Sequence, residues 1–142
     1  MNSLQNIDGV TEKILGRSSS LFQADIDSFR QNISEVYSRA RVLVIGAGGS
    51  IGGSCVKELI TYNPRCLHLV DISENGLVEV VRDMRSSMNT VPEDFSTFAI
   101  DIRHPEFKHL LQNQKPYDIV LNLSALKHVR SEKDPYTLAR MV

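Results

Sequence analysis

The chain is 142 residues long and 42% hydrophobic, enough for one core of moderate size but not for two domains of ordinary dimensions. Its 16 Lys and Arg residues against 17 Asp and Glu leave no net field to gather nucleic acid or an anionic membrane, so any anion has to be recognised locally. No apolar run approaches the roughly 20 residues of a membrane span, and the opening MNSLQNIDGVTEKIL is too polar for a signal peptide, so a cytoplasmic protein is expected.

Residues 1 to about 40 form a polar leader, broken at Ser19-Ser20, in which Ile26, Phe29, Ile33, Val36 and Tyr37 fall at helical spacing. An amphipathic N-terminal helical extension is predicted over 1–40. Its apolar stripe would cover either its own domain or a second subunit or domain, and a homo-oligomer is the expected assembly. From Arg41 the chain alternates short apolar runs with helical stretches: RVLVIG, a helix from about Ser50 to Thr61, CLHLVD, a helix from about Glu74 to Met88, STFAID, a helix from about Pro105 to Gln112, and YDIVLNLSA. Near-continuously apolar strands separated by helices predict an α/β domain over 41–142, a doubly wound parallel sheet with visible strand order 3-2-1-4. In the second of these helices Val78, Val81, Met84, Arg85 and Met88 share overlapping faces, the Val and Met residues being expected in the core, with Arg82, Asp83 and Ser86 outward. A further helix begins in SEKDPYTLARMV, and since such sheets ordinarily run on for two or more strands, the domain is expected to be incomplete at its C-terminus.

The first strand runs into Gly46-Ala47-Gly48-Gly49-Ser50-Ile51-Gly52 and then into a helix. In that context Gly46 would allow the tight turn, Gly49 the approach of a pyrophosphate to the main chain, and Gly52 close packing of the helix on the sheet. The helix's first amides are unpaired donors at the positive end of its dipole, which suits a diphosphate. A plain strand-to-helix turn is the alternative. No Lys-Ser or Lys-Thr follows, which argues against a P-loop hydrolase. Asp71 ends the second strand about 20 residues on, where its carboxylate could accept from adenosine ribose hydroxyls and would repel a 2′-phosphate. NAD is thereby expected over NADP, although Arg82 or Arg85 could still reach a phosphate, and Asp71 could instead cap a helix. Asp101 and Ile102 end the third strand at the same edge and would contact the adenine, unless Asp101 caps the helix near Pro105. Cys55 and Cys66 read as reduced, buried thiols, His68, His104 and His109 as structural, and no metal site is expected.

The segments VLVIGAGGSIGG, LVDISEN and NLSALKHVRSEKDPYTLARMV resemble the N-terminal half of bacterial nucleotide-sugar 4,6-dehydratases in the extended short-chain dehydrogenase/reductase superfamily, UDP-N-acetylglucosamine 4,6-dehydratases above all. The resemblance covers about residues 40 to 142. It implies a Rossmann-type fold, a nucleotide-sugar substrate and a role in surface polysaccharide or nonulosonic acid synthesis. Chemically it implies a tightly held NAD or NADP that takes hydride from sugar C4 and returns it at C6 after loss of water, giving a 4-keto-6-deoxy sugar. A nucleotide-sugar epimerase and a non-catalytic dinucleotide-binding module are the competing readings. By motif position the resemblance implies Gly46, Gly49, Ser50, Ile51 and Gly52 at the pyrophosphate, Asp71 and Ser73 at the ribose, Asp101 and Ile102 at the adenine, and Ser124 with Ala125 beside the nicotinamide ribose. Lys127 and His128 follow as substrate-side candidates, against the alternative of a solvated lysine and a packed or capping histidine. The superfamily's Tyr-x-x-x-Lys acid/base pair has no match, because Tyr136 is followed four positions on by Arg140; those residues are expected beyond Val142.

Overall fold

The computed structural model describes residues 13, 14, 16, 21–87 and 91–125. The chain divides into two compact units, residues 1–36 and 37–142.

Helix α1 spans Gln23–Arg39, with Asp25 in its first turn and Arg39 in its last, each matched to the sign of the dipole end it faces. None of its 17 residues is buried, and Phe29 and Val36 on the apolar stripe are both more than half exposed.

The second unit follows with β1 (Arg41–Ile45), α2 (Ser50–Ile60), β2 (Cys66–Asp71), α3 (Glu74–Ser87), β3 (Asp94–Ala99), α4 (Pro105–Asn113) and β4 (Ile119–Asn122). All strand pairs are parallel and the order across the sheet is β3-β2-β1-β4, the predicted one. The two central strands are buried almost throughout, which is why RVLVI and CLHLV are apolar on both faces apart from Arg41, which pairs with Asp94, and His68, which pairs with Asp94 and Tyr117. The pleat sends Val42, Val44, Leu67 and Leu69 to one face, where Val56, Leu59 and Ile60 of α2 and Leu77, Val80 and Met84 of α3 cover them. Leu43, Ile45 and Val70 go to the other, against Phe98, Ile102, Phe107, Leu110 and Tyr117. Helices therefore cover both faces, as a doubly wound sheet requires.

Two local expectations need correction. The buried face of α3 is Leu77, Val80 and Met84, spaced i, i+3, i+7, while Val78 is 49% exposed and Arg85 lies in solvent. With valines at 78, 80 and 81, several faces of this helix are apolar enough to serve, and its packing on β2 and β3 selects the one centred on Val80. Strand β3 begins at Asp94, two residues before the predicted STFAID, and stops at Ala99, so that Ile100 and Asp101 lie beyond it. Its start is fixed by pairing, Asp94 lying opposite Cys66, and a β-propensity pattern does not contain that information.

Candidate cofactor-binding site

The parallel strands deliver their carboxyl ends to one edge of the sheet, and the glycine loop crosses it. Gly46 turns the chain with a left-handed φ of 80° and donates its amide to Val70 O at 2.8 Å; the Ala47 amide shares that acceptor at 3.2 Å. A Cβ at Gly46 would sit 2.6 Å from the Ser124 amide nitrogen, so the loop and the end of β4 meet main chain to main chain. A Cβ at Gly52 would overlap the Gly46 carbonyl oxygen. At Gly49 the situation differs: a Cβ would meet only Gly46 O, at an ordinary 3.5 Å. Packing among the described residues therefore does not demand glycine there, and among them the outer side of the loop is open.

Gly49 is the N-cap of α2 and gives no side-chain cap. The first helical bond is Gly53 N–H to Gly49 O at 2.8 Å. The amides of Ser50, Ile51 and Gly52 meet no acceptor among the described residues, so three donors at the positive end of an 11-residue helix face the loop's open side. The Ile51 side chain stands beside them, 70% exposed.

Asp71 closes the loop from the second strand. Its Oδ2 accepts from the Gly48 amide at 2.8 Å and its Oδ1 from the Ser73 amide at 2.8 Å. The carboxylate is thus held rigidly at the crevice by two donors, each of its oxygens keeping a further lone pair. It does not cap α3. Ser73 does that, its Oγ accepting from the Gly76 amide at 3.1 Å and its carbonyl from Leu77 N–H at 3.1 Å. Two glycines without a place in the sequence argument, Gly48 and Gly76, lie against Asp71 and each other at the candidate site. A Cβ on Gly48 would press on the Asp71 carboxyl group at 3.1 Å and one on Gly76 on the Gly48 carbonyl at 2.9 Å, so the turns after β1 and β2 touch through bare backbone.

The remaining candidates are placed more diversely. Ile100 N–H donates to Asp71 O at 3.0 Å, which ties the chain just ahead of Asp101 to the end of β2. The Asp101 side chain caps no helix. It is gripped by Arg103, whose Nη2 reaches Oδ2 at 2.6 Å and whose backbone N–H reaches Oδ1 at 2.9 Å, and this pairing holds the carboxyl group well below the usual carboxylate range. The bidentate partner was not anticipated, although an acid followed two positions later by arginine is its visible trace. Ile102 packs into the second core. Ser124 turns its Oγ and amide to Asn122 Oδ1, at 2.6 and 3.2 Å, directly beside Gly46, and Ala125 is exposed. Arg82, the alternative phosphate ligand, is engaged by Glu79 at 2.9 Å. Lys127 and His128 lie outside the described residues.

Strand order, glycine turn and acid-terminated second strand together define a Rossmann-type α/β domain. Residues 42–139 match the polysaccharide biosynthesis protein family, and the chain belongs to it. Over 99 residues it is 34% identical to an uncharacterized membrane protein, MJ1061, of Methanocaldococcus jannaschii, covering 70% of this chain and 27% of that protein. No helix among the described residues is long and apolar enough to cross a membrane. Among solved structures it is similar to Pen from Bacillus thuringiensis, with a TM-score of 0.59 and 23% identity over 75% of this chain and 30% of that one, which supports the fold. The chain thus spans between a quarter and a third of the length of these two proteins.

Proposed function

We propose that this domain binds a nicotinamide dinucleotide, NAD in preference to NADP, and serves as the cofactor-binding part of a nucleotide-sugar 4,6-dehydratase. One observation carries the dinucleotide reading: three unaccepted amides at Ser50, Ile51 and Gly52 open beside a carboxylate, Asp71, that the protein itself immobilises. The amides are suited to a pyrophosphate, and the free lone pairs of Asp71 to the adenosine ribose hydroxyls. Gly49 leaves the space that a phosphate needs. A 2′-phosphate at Asp71 would meet a fixed negative charge.

When bound, the cofactor supplies reversible hydride transfer to and from a sugar carbon. This chain's own residues bind and orient it, with Ser124 and Ala125 set beside the glycine turn on the nicotinamide side and the end of β3 on the adenine side. Membership of the polysaccharide biosynthesis family and the SALKHV segment support a sugar nucleotide, UDP-N-acetylglucosamine first, as substrate. Lys127 and His128 are proposed on its side of the site.

Calorimetry of the 142-residue chain with NAD, NADH and NADP tests the first part: NAD should bind more tightly than NADP, and a folded sample that binds none of the three removes the reading. A longer protein carrying this domain should convert UDP-N-acetylglucosamine to a 4-keto-6-deoxy product. A simple C4 epimer as the product would favour the epimerase instead.

A further inference from the structure

We propose that the opposite, amino edge of the sheet carries a site for a thiophilic divalent cation, zinc being the best fit, formed by Cys66 Sγ, His68 Nε2 and one oxygen of Asp94. The register builds it. Cys66 and His68 are two apart on β2 and share a face, and Asp94 lies opposite Cys66 at the start of β3. The three ligand atoms all lie within 4.8 Å of one another. In a closed tetrahedral zinc centre they would be about 3.3 to 3.6 Å apart, as bond lengths of about 2.0 to 2.3 Å require. Side-chain shifts of about 1 Å therefore suffice to close it.

The surroundings already resemble the outer shell of a metal centre. His68 is 2% exposed, and its Nδ1 is paired with the Tyr117 hydroxyl at 2.7 Å. In the metal-free chain Nε2–H donates to Asp94 Oδ1, 3.0 Å away, and Nδ1 accepts from Tyr117; on metal binding the ring proton moves to Nδ1, which then donates to the Tyr117 oxygen and leaves the Nε2 lone pair for the cation. The second oxygen, Oδ2, is held by Arg41 Nη1 at 2.6 Å. A cation would enter between Nε2 and Oδ1 while Arg41 keeps Oδ2, so both flanking contacts survive. Cys66 is wholly buried, whereas the Asp94 side chain is 45% exposed, so a cation would enter from the Asp94 side. On binding, Cys66 loses its thiol proton to solvent. Thiolate and carboxylate then supply two negative charges against the dication and the retained Arg41 guanidinium, and sulfur with imidazole selects zinc over calcium or magnesium.

Cobalt(II) added to the metal-free 142-residue chain is expected to give a sulfur-to-cobalt charge-transfer band that saturates at one equivalent and is bleached by zinc. Cys66→Ser should abolish the band and weaken zinc binding at least tenfold, while Cys55→Ser changes neither. Cys66 is in the core, so Asp94→Ala, at a half-exposed position and checked for fold by circular dichroism, gives a second arm with the same tenfold loss expected. Absence of the band from folded wild-type protein overturns the proposal, as does a band that survives Cys66→Ser or zinc affinity unmoved by Asp94→Ala.

Discussion

Gly49 separates ligand binding from folding at the level of a single residue, whereas Asp71 serves both. Asp71→Ala removes charged acceptors from the ribose side and should weaken NAD binding by about 1 to 3 kcal/mol, read by calorimetry. Gly49→Ala should leave unfolding free energy within about 1 kcal/mol of wild type, because the cap position is already extended and its Cβ meets only an ordinary contact. The same variant should weaken NAD about tenfold by filling the phosphate's space. Gly52→Ala should lower stability as well. Alanine is favoured over glycine in a helix by about 1 kcal/mol, but overlap with a main-chain carbonyl that cannot swing aside costs about 1 to 3 kcal/mol, and the overlap wins. Asp94 gives a pH signature in the metal-free chain. Its Arg41 partner lowers its pKa from 3.8 to about 2, below the unfolded value, so the stabilisation is complete above about pH 4 and lost as pH falls towards 2. Urea midpoints measured across that range should decline more steeply for wild type than for Asp94→Asn.

Among the helices, α3 discriminates best between sequence pattern and packing. Met84 is 1% exposed, so Met84→Ala should destabilise by about 2 to 5 kcal/mol, whereas Val78→Ala should cost less than about 0.5 kcal/mol, both read from denaturant unfolding. The strands and their order were legible because RVLVI and CLHLV are apolar without alternation and are separated by helical stretches, a combination with few topological solutions. The face of α3 was not, because local periodicity does not say which of several valines the sheet will cover. The glycine loop and Asp71 were recognisable from spacing, but Gly48, Gly76 and Arg103 act through turns that only the folded backbone brings together. The Cys66, His68 and Asp94 cluster was invisible for a related reason. It crosses two strands at a register set by the sheet, and a search for paired ligands along one segment passes over it.

Across the molecule, the two edges of one sheet carry different chemistry. Backbone donors and a fixed carboxylate occupy the carboxyl end, and a buried thiol, imidazole and guanidinium the amino end, with the full length of β1 and β2 between. Effects of Asp94→Asn and Asp71→Ala on stability should therefore add within about 0.5 kcal/mol. The pair of hydrogen bonds that Asp71 accepts from Gly48 and Ser73 also bears on any attempt to alter the proposed preference for NAD. Replacing this acid by a small neutral residue would leave the Gly48 and Ser73 amides without their acceptor and loosen the contact between two turns, so a variant meant to admit a phosphorylated ribose would first need another acceptor for the Gly48 amide.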